Sequence, residues 1–473
     1  MSLFSRGYRA RDRHFEEPVH DTVDEEVCLP VQPQITLDSQ QEVIVNSTEN
    51  NIIVVAGAGS GKTRVLTERI RHLIEDIHVP PHNIVAITFT NMASEEMKLR
   101  LKDVDGIGDC FIGTIHSFAN RIMKESGEKY TLFNDELDNK LHKELIEKYC
   151  EHLTNDKYLE YKDIRSLVDA GKIHQSVLDS FFLPSERAEF NTLHASKKAV
   201  EADKDSEIHL TFGESIETLC EKRGIITFDE LLVKAKTYFE NLGATIEYVF
   251  VDEFQDVGSL EYNFIRALNA QNYFFVGDDY QSIYGFKGGN VNLFLTLVQG
   301  EDFTTYYLTN NYRNSKDIIM LAEKVISQVD NKITKETIPM SNKSGSFKIL
   351  HKNNLRSVMT QLQDSEMNDF KDWFFLTRTN KEIYDAIKVC NDLGIPYTTF
   401  KREGMSLADV NKQMASRKLK ILTVHTAKGL EIDNVILYGN FPVIQPLYIR
   451  NEDERKVMYV GVTRAKNQII ILN

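Results

Sequence analysis

Residues 51–63 read NIIVVAGAGSGKT, and this stretch decides the class of fold. Its first five residues are mostly β-branched and predict a short buried strand. Residues 63–75 then carry Val65, Ile70 and Leu73 at helical spacing, and a second strand-like run follows at 84–89. Strand, loop, helix and strand in this order are typical of a parallel α/β sheet.

The glycine-rich loop after the first strand has the composition of a phosphate site. Glycines in such a loop let backbone N–H groups and a helix N-terminus approach phosphate oxygens closely. Lys62 would reach the β- and γ-phosphates, and the Thr63 hydroxyl would hold Mg²⁺. By itself, the loop also fits a small-molecule kinase or a chance glycine-rich turn. The predicted nucleotide contacts in this stretch are Ala56, Gly57, Ala58, Gly59, Ser60, Gly61, Lys62, Thr63 and Arg64.

Two adjacent acids follow another apolar run, in the sequence VDEFQD at 251–256. Open α/β sheets bind their ligands at the carboxyl ends of the strands, which is where these acids would lie. Asp252 would bind Mg²⁺ through water. Glu253 would polarise an attacking water, the step that separates a hydrolase from a kinase. The alternative is a solvated acidic loop.

Length and composition restrict the class of protein. A chain of 473 residues predicts two to four domains. The net charge of −14 argues against attachment to nucleic acid by bulk positive charge, although a narrow groove with a few cations and stacking aromatics needs no such excess. The five cysteines form no Cys-x-x-Cys pair, and no apolar run is long enough to span a bilayer. We expect a cytoplasmic protein without a membrane partner.

The domain organisation follows from changes in sequence character. Residues 1–34 lack hydrophobic periodicity and predict a disordered N-terminal arm, although the arginines among the first thirteen residues faintly resemble a transit peptide. A charged, helix-like stretch at 119–225 predicts a helical insertion, followed by a capping box formed by Thr227 and Glu230. The predicted domains are a first motor domain at 35–118 and 226–300, the insertion at 119–225, and a second motor domain at 301–473. Further strands are predicted at 247–251, 273–276, 306–308, 346–350, 373–377, 419–424, 434–437 and 468–472.

Further motifs occur in order along the chain. They are LDSQQ at 37–41, ITFTN at 87–91, GTIHSF at 113–118, GDDYQSIYGF at 277–286, NYRN at 311–314, RTN at 378–380, TVHTAKGLE at 423–431 and YVGVTRA at 459–465. Together with the glycine loop and DEFQD at 252–256, this series resembles superfamily 1 DNA helicases of the UvrD/Rep/PcrA type, from about residue 37 to the end. The resemblance implies two RecA-like P-loop motor domains with parallel sheets, and ATP and Mg²⁺ as ligands. It also implies that Gln41 reads the adenine.

The resemblance also implies roles in ATP turnover for residues of the second domain. Arg313 and Arg464 would reach the γ-phosphate across a cleft, so that hydrolysis requires the two domains to close. Tyr312 would stack on the adenine and Glu431 would bind the ribose. Gln281 would contact the γ-phosphate and couple the nucleotide site to DNA. Together with Lys62, Asp252 and Glu253, the two arginines and Gln281 form the predicted catalytic set.

The predicted partner is single-stranded DNA, including its junctions with duplex, and the family moves along it from 3′ to 5′. Aromatic side chains would stack on bases without sequence preference. Polar side chains would hold the backbone or bases. The predicted stacking residues are Phe89, Tyr284 and Phe286, and the predicted polar contacts are Asn91, His116, Arg378, Asn380 and His425.

Three departures from the larger relatives bear on duplex unwinding. Phe286 and Lys287 replace the usual Trp and Arg. Residues 397 and 419 are too close to enclose the regulatory 2B subdomain, and the sequence ends nine residues after Arg464, before a strand-separating hairpin. We therefore expect an ATP-dependent single-stranded DNA translocase or 3′–5′ DNA helicase that acts in replication, repair, recombination or phage defence. The alternative is a DNA-sensing ATPase subunit that gates a partner nuclease or repair complex.

Overall fold

The computed structural model divides the chain into two compact units. One comprises Met1–Phe118 with Leu242–Asn473, and the other comprises Ala119–Asn241. The predicted arm at 1–34, most of the predicted insertion at 119–225, and Phe286 with Lys287 lie outside the described residues. Apart from isolated positions between 137 and 188, the structure describes residues 36–134, 220–285, 288–400, 405–441 and 452–473.

Helices and strands alternate along most of the described chain. The strands are β1 (Asn51–Ala56), β2 (Ile84–Thr88), β3 (Phe111–Thr114), β4 (Thr131–Leu132), β5 (Ile225–Ile226), β6 (Tyr248–Val251), β7 (Asn272–Gly277), β8 (Thr304–Leu308), β9 (Asn310–Asn311), β10 (Ile338–Pro339), β11 (Ser346–Leu350), β12 (Trp373–Thr377), β13 (Tyr397–Thr399), β14 (Leu419–Thr423), β15 (Ile432–Tyr438) and β16 (Ala465–Leu472). The α-helices are α1 (Ser39–Val45), α2 (Lys62–Glu75), α3 (Asn91–Arg100), α4 (Ile115–Ser126), α5 (Phe228–Leu242), α6 (Ser259–Ala267), α7 (Val291–Gln299), α8 (Lys316–Ile326), α9 (Leu355–Glu366), α10 (Asn380–Leu393), α11 (Leu407–Met414), α12 (Val424–Ala427) and α13 (Glu452–Val462).

The first sheet is parallel, with strand order β3-β2-β6-β7-β1-β8. β1 lies between β7 and β8, so that Ile53 pairs with Phe275 on one side and Thr305 on the other. The strand predicted at 306–308 therefore belongs to this sheet, and its assignment to the second motor domain at 301–473 is wrong. After the α7 crossover, β8 still runs parallel to β1, so the first sheet extends beyond the predicted boundary at residue 300.

The second sheet is also parallel, with strand order β11-β16-β15-β12-β14-β13. Its central strand β12 is buried at every position, which explains its continuous apolar sequence WFFLT. The strands predicted in this part of the chain are confirmed, although β15 and β16 begin earlier than predicted, at Ile432 and Ala465. Two parallel sheets flanked by helices confirm the predicted α/β fold class.

Buried apolar side chains connect the nucleotide loop with the second half of the chain. Ala58 of the glycine loop, and Tyr280 and Ile283 after β7, belong to the same buried cluster as α8 and α13. A separate cluster fills the space around β1 and α2 in the first sheet. The glycine loop therefore lies where side chains from both sheets can reach it.

In the other unit, β4 and β5 form a parallel pair, with Thr131 opposite Ile225. The predicted capping box is confirmed: the Thr227 N–H donates to Glu230 Oε2 at 2.7 Å, and the Glu230 N–H donates to Thr227 Oγ1 at 3.2 Å. These bonds satisfy N–H groups at the start of α5. Within the described ranges, no helix is long and apolar enough to cross a lipid bilayer.

Candidate functional site

The glycine loop joins the carboxyl end of β1 to α2 and lies against the segment that carries Arg313. Gly59 has φ +69°, and a Cβ atom there would lie 2.6 Å from Arg313 Cβ. Gly59 also accepts a hydrogen bond from the Tyr312 N–H at 2.9 Å, and Asn311 Nδ2 donates to Ala58 O at 2.8 Å. Glycine is required here because any side chain would push the arginine-bearing segment off the loop.

Thr63 and Asp252, the predicted Mg²⁺ contacts, lie together. Thr63 Oγ1 donates to Asp252 Oδ2 at 3.2 Å. Burial, followed by repulsion from Glu253, raises the pKa of Asp252 to about 7. A hydroxyl and a carboxylate side by side fit a divalent cation, because Mg²⁺ typically takes one or two protein oxygens plus phosphates and water. The residues present therefore suit the predicted ion.

Glu253 follows β6 in a left-handed conformation, with φ +52°. Gln255 Nε2 donates to Glu253 Oε2 at 2.6 Å, while Gln255 Oε1 accepts from the Asp278 N–H at 2.8 Å. Burial opposes ionisation of Glu253, but Lys62 and Lys428 outweigh it and keep the pKa of this carboxyl below its ordinary value. Glu253 is thus a charged, oriented carboxylate, as a general base requires.

Gln281 lies in a 3₁₀ turn after β7 and contacts both halves of the chain. Its Nε2 donates to Asp278 Oδ2 at 2.6 Å, and its Oε1 accepts from Arg464 Nη2 at 3.3 Å. Lys428 Nζ donates to the Gln281 carbonyl at 2.8 Å and also pairs with Asp256. The structure therefore brings together Gln281 and Arg464 of the predicted catalytic set, and it adds Lys428, to which the sequence assigned no role.

The two predicted arginines differ in their surroundings. Arg464 is 1% exposed and also donates to the carbonyls of Val460 and Leu430 at 3.0 Å. Burial, with a contribution from Arg313, lowers the pKa of Arg464 to about 9. Arg313 is partly buried and pairs through Nε with Glu431.

Glu431, predicted to bind the ribose, already forms ion pairs with two basic side chains. It pairs with Arg313 and with Lys466, the latter at 3.0 Å. Although burial opposes ionisation, these two cations lower the pKa of Glu431 to about 2. A ribose hydroxyl would have to share this carboxylate or displace a cation, so the ribose role stays a prediction.

The predicted adenine contacts lie at the start of α1 and after β9. Gln41 is 2% exposed, and its Nε2 donates to Ser60 O at 3.2 Å. Tyr312 is exposed and its hydroxyl donates to Asp38. The Gln40 side-chain amide makes two hydrogen bonds to Thr309. Its Nε2 donates to Thr309 Oγ1 at 2.8 Å, and its Oε1 accepts from the Thr309 N–H at 3.0 Å. Asp38 and Gln40 thus fix the adenine-contact segment, a role that the sequence did not reveal.

Two of the predicted stacking aromatics contact each other. The rings of Phe89, after β2, and Tyr284 stack with centroids 5.2 Å apart and planes 20° apart. The Tyr284 hydroxyl donates to His425 O at 3.2 Å. Phe89 remains 40% exposed, so a base can reach its outer face. The third predicted platform, Phe286, lies outside the described residues.

The predicted polar DNA contacts follow the carboxyl ends of strands. Asn91 begins α3 after β2, His116 lies in α4 after β3, and Asn380 begins α10 after β12. Arg378 donates to Glu454 through Nε at 2.6 Å and through Nη2. His425 lies in α12 after β14, and burial, with Arg378 nearby, lowers its pKa, which favours the neutral ring. Each of these residues therefore follows the carboxyl end of a strand in the first or the second sheet.

Comparison with known proteins agrees with this geometry. Residues 37–302 match the UvrD/REP helicase N-terminal domain, and residues 403–473 match the UvrD-like helicase C-terminal domain. The chain is 28% identical to the ATP-dependent DNA helicase PcrA of Leuconostoc citreum, over 76% of this chain and 49% of that protein. It is 27% identical to a probable DNA helicase of Mycoplasma pneumoniae, over 92% and 83%. A putative ATP-dependent DNA helicase of Bacillus subtilis is 28% identical, over 77% and 49%. The chain thus matches about half the length of two of these relatives.

Proposed function

Because the chain belongs to the UvrD/REP helicase family, we propose that it hydrolyses ATP to move along single-stranded DNA from 3′ to 5′. One observation carries the proposal. Arg464, which follows α13 of the second sheet, contacts Gln281 after β7 of the first sheet at 3.3 Å. The binding site for a nucleotide at the glycine loop would therefore be completed by groups from both sheets. Turnover of the nucleotide would then change how the two sheets pack.

In this mechanism residues that follow strands of the first sheet bind the nucleotide and activate the water, and two arginines complete the site. Lys62 binds the β- and γ-phosphates, Glu253 orients and deprotonates the attacking water, and Thr63 with Asp252 would hold Mg²⁺, which supplies charge neutralisation at the phosphates. Gln255 keeps Glu253 in position through its 2.6 Å hydrogen bond. Arg313 and Arg464 stabilise the negative charge that develops on the transferred phosphoryl group.

Coupling to DNA runs through the short segment between Gln281 and Tyr284. Gln281 contacts Arg464 at the nucleotide site, while Tyr284, three residues later, stacks on Phe89 and donates to His425 O. A shift of this segment on hydrolysis would change the nucleotide contact and the aromatic stack together. His425 belongs to α12 of the second half, so the shift would also reach the second sheet.

The aromatic stack predicts an effect on DNA affinity. We expect Phe89→Ala to weaken binding of a single-stranded oligonucleotide by about 1–3 kcal/mol, because one base loses its stacking surface. Fluorescence anisotropy with a labelled oligonucleotide measures this loss. Phe347→Ala is the matched control, since Phe347 is also 40% exposed but lies on β11 at the edge of the second sheet. Equal affinity of both variants would remove Phe89 from the DNA site.

Strand displacement tests direction and autonomy. We expect the purified chain with ATP to displace the strand of a 3′-tailed duplex faster than that of a 5′-tailed duplex. The compact connection between β13 and β14, where residues 405–418 include only α11, supports a motor without a 2B subdomain. Preference for the 5′ tail would contradict the proposed direction.

The alternative is a DNA-sensing ATPase subunit whose cycle gates a partner nuclease or repair complex. The observation that favours it is the stack of Phe89 on Tyr284, three residues after Gln281. If these rings bind DNA and Gln281 contacts the γ-phosphate, the segment can act as a sensor without any unwinding. DNA-stimulated ATP turnover without displacement of either tailed substrate would support this alternative. Robust unwinding by the chain alone would exclude an obligate subunit.

A further inference from the structure

Lys335 is a buried cation that no motif of the sequence includes. It lies in the segment between α8 and β10, and its side chain is only 3% exposed. Its Nζ lies 2.6 Å from Asp278 Oδ1 and 2.6 Å from Asp279 Oδ1, and 3.7 Å from the centre of the Tyr280 ring. Two carboxylates and an aromatic face hold the positive charge of this lysine in one position.

The backbone around Lys335 is fixed to the same turn. The Ile333 N–H donates to Asp279 Oδ2 at 2.7 Å, and the Tyr280 hydroxyl donates to Ile333 O at 2.8 Å. The segment then continues into β10, which pairs with β9 at Asn310–Asn311, two residues before Arg313. Lys335 therefore links the turn that carries Gln281 to the strand pair that leads to Arg313.

Asp278 has two oxygens with separate partners. Oδ1 accepts from Lys335, while Oδ2 accepts from Gln281 Nε2 at 2.6 Å. The phosphate-loop lysine, Lys62, also faces Oδ2, but at 4.0 Å, which is too long for a hydrogen bond. Asp278 is fully buried, so its charge needs a cation at all times.

Electrostatics agree with this division of partners. Burial opposes the charged form of Asp278, yet Lys335 and then Lys62 hold its pKa below the ordinary value. Burial likewise opposes the charged form of Lys335, but Asp278 and Asp279 raise its pKa above the ordinary value. The buried Lys456 also interacts with Asp279, so this second carboxylate does not depend on Lys335 alone.

We propose that Lys335 is a positioning residue for ATP binding: it holds Asp278 against Gln281 and away from Lys62, so that Lys62 is free to bind phosphate. Without Lys335, the nearest remaining cation for Asp278 is Lys62. The two would then close from 4.0 Å into a direct ion pair, and the phosphates of ATP would have to compete with a buried carboxylate. The inference rests on the proposed function and deepens it.

The test measures the dissociation constant of Mg·ATP, together with KM and kcat, for four proteins. Lys335→Met removes the charge but keeps the side-chain length, and we expect ATP affinity to fall roughly 30-fold, as for loss of one partner of a buried charge pair. The double variant Lys335→Met with Asp279→Asn restores the charge balance of the cluster. Lys332→Met is the control, because Lys332 lines the same cavity but donates to the carbonyls of Ser327 and Val329. Wild-type protein is the reference.

The double variant separates positioning from stability. Replacing both members of a buried ion pair by neutral groups is often harmless to folding, so its melting temperature should recover towards the wild-type value. Its ATP affinity should stay low, because Asp278 is still drawn to Lys62. Recovery of affinity together with melting temperature would show a purely structural lysine and overturn the inference.

The remaining outcomes are also decisive. Unchanged ATP affinity in a folded Lys335→Met variant would overturn the inference. If this variant fails to fold, the double variant makes the same comparison with balanced charges. Wild-type protein that binds ATP without DNA-stimulated turnover would refute the proposed function, whereas the binding measurements would still decide the role of Lys335.

Discussion

Replacing Lys62 with alanine is expected to lower ATP turnover by at least about 10²–10³-fold, the typical loss when a preorganised charge partner of a transition state is removed. Lys62 begins α2, and its charge faces Asp252, Glu253 and Asp278. Burial lowers its pKa, so this ammonium gains more from a bound phosphate than an exposed lysine would. Phosphate release at saturating DNA measures the effect.

The control for this substitution is Lys98→Ala, at an exposed position on α3. It changes the net charge equally and should leave turnover within about twofold of wild type, as expected for a surface site. Removal of Lys62 also leaves three buried acids without their shared cation, so the melting temperature must be compared. A folded Lys62→Ala variant with normal turnover would refute the assignment of the nucleotide site.

Replacing Arg313 with alanine should lower kcat by about 10³–10⁵, the range found for arginines that neutralise phosphoryl-transfer transition states. The structure holds Arg313 against the glycine loop, since its Cβ lies 2.6 Å from where a Gly59 Cβ would be. Its guanidinium pairs with Glu431, a carboxylate that keeps it oriented before ATP arrives. Because the interaction strengthens in the transition state, kcat should fall more than ATP affinity.

Arg356→Ala provides the comparison for Arg313. Arg356 lies on α9 with a side chain 60% exposed and a surface ion pair to Asp392, and such pairs contribute at most about 1 kcal/mol. Its turnover should match that of wild type. If Arg313→Ala retained wild-type kcat, Arg313 would have no part in hydrolysis.

Local sequence predicted those features that depend on local chemistry. The strand predicted at 51–55 and the glycine loop form one continuous pattern, and Asp252 and Glu253 directly follow an apolar run. The structure has the same elements in the same order. The Thr227 capping box was predictable for the same reason, because its two partners are three residues apart.

Features that depend on distant contacts were not predictable. β8 is only partly buried and could have joined either sheet, so its pairing with β1 emerges only in three dimensions. Lys335 is a single lysine in a connecting segment, and its two carboxylates lie more than fifty residues earlier. Glu431 was predicted for a ribose, but its pairing with Arg313 and Lys466 depends on the approach of three separate segments.

We propose that ATP turnover and DNA binding form one coupled activity, joined through the segment from Gln281 to Tyr284. The most direct test is the steady-state rate of ATP hydrolysis by the purified chain, measured without DNA, with a single-stranded oligonucleotide and with blunt duplex of equal length. We expect single-stranded DNA to raise kcat well above both other rates. The same rate in all three conditions, or no hydrolysis in any of them, would contradict the claim.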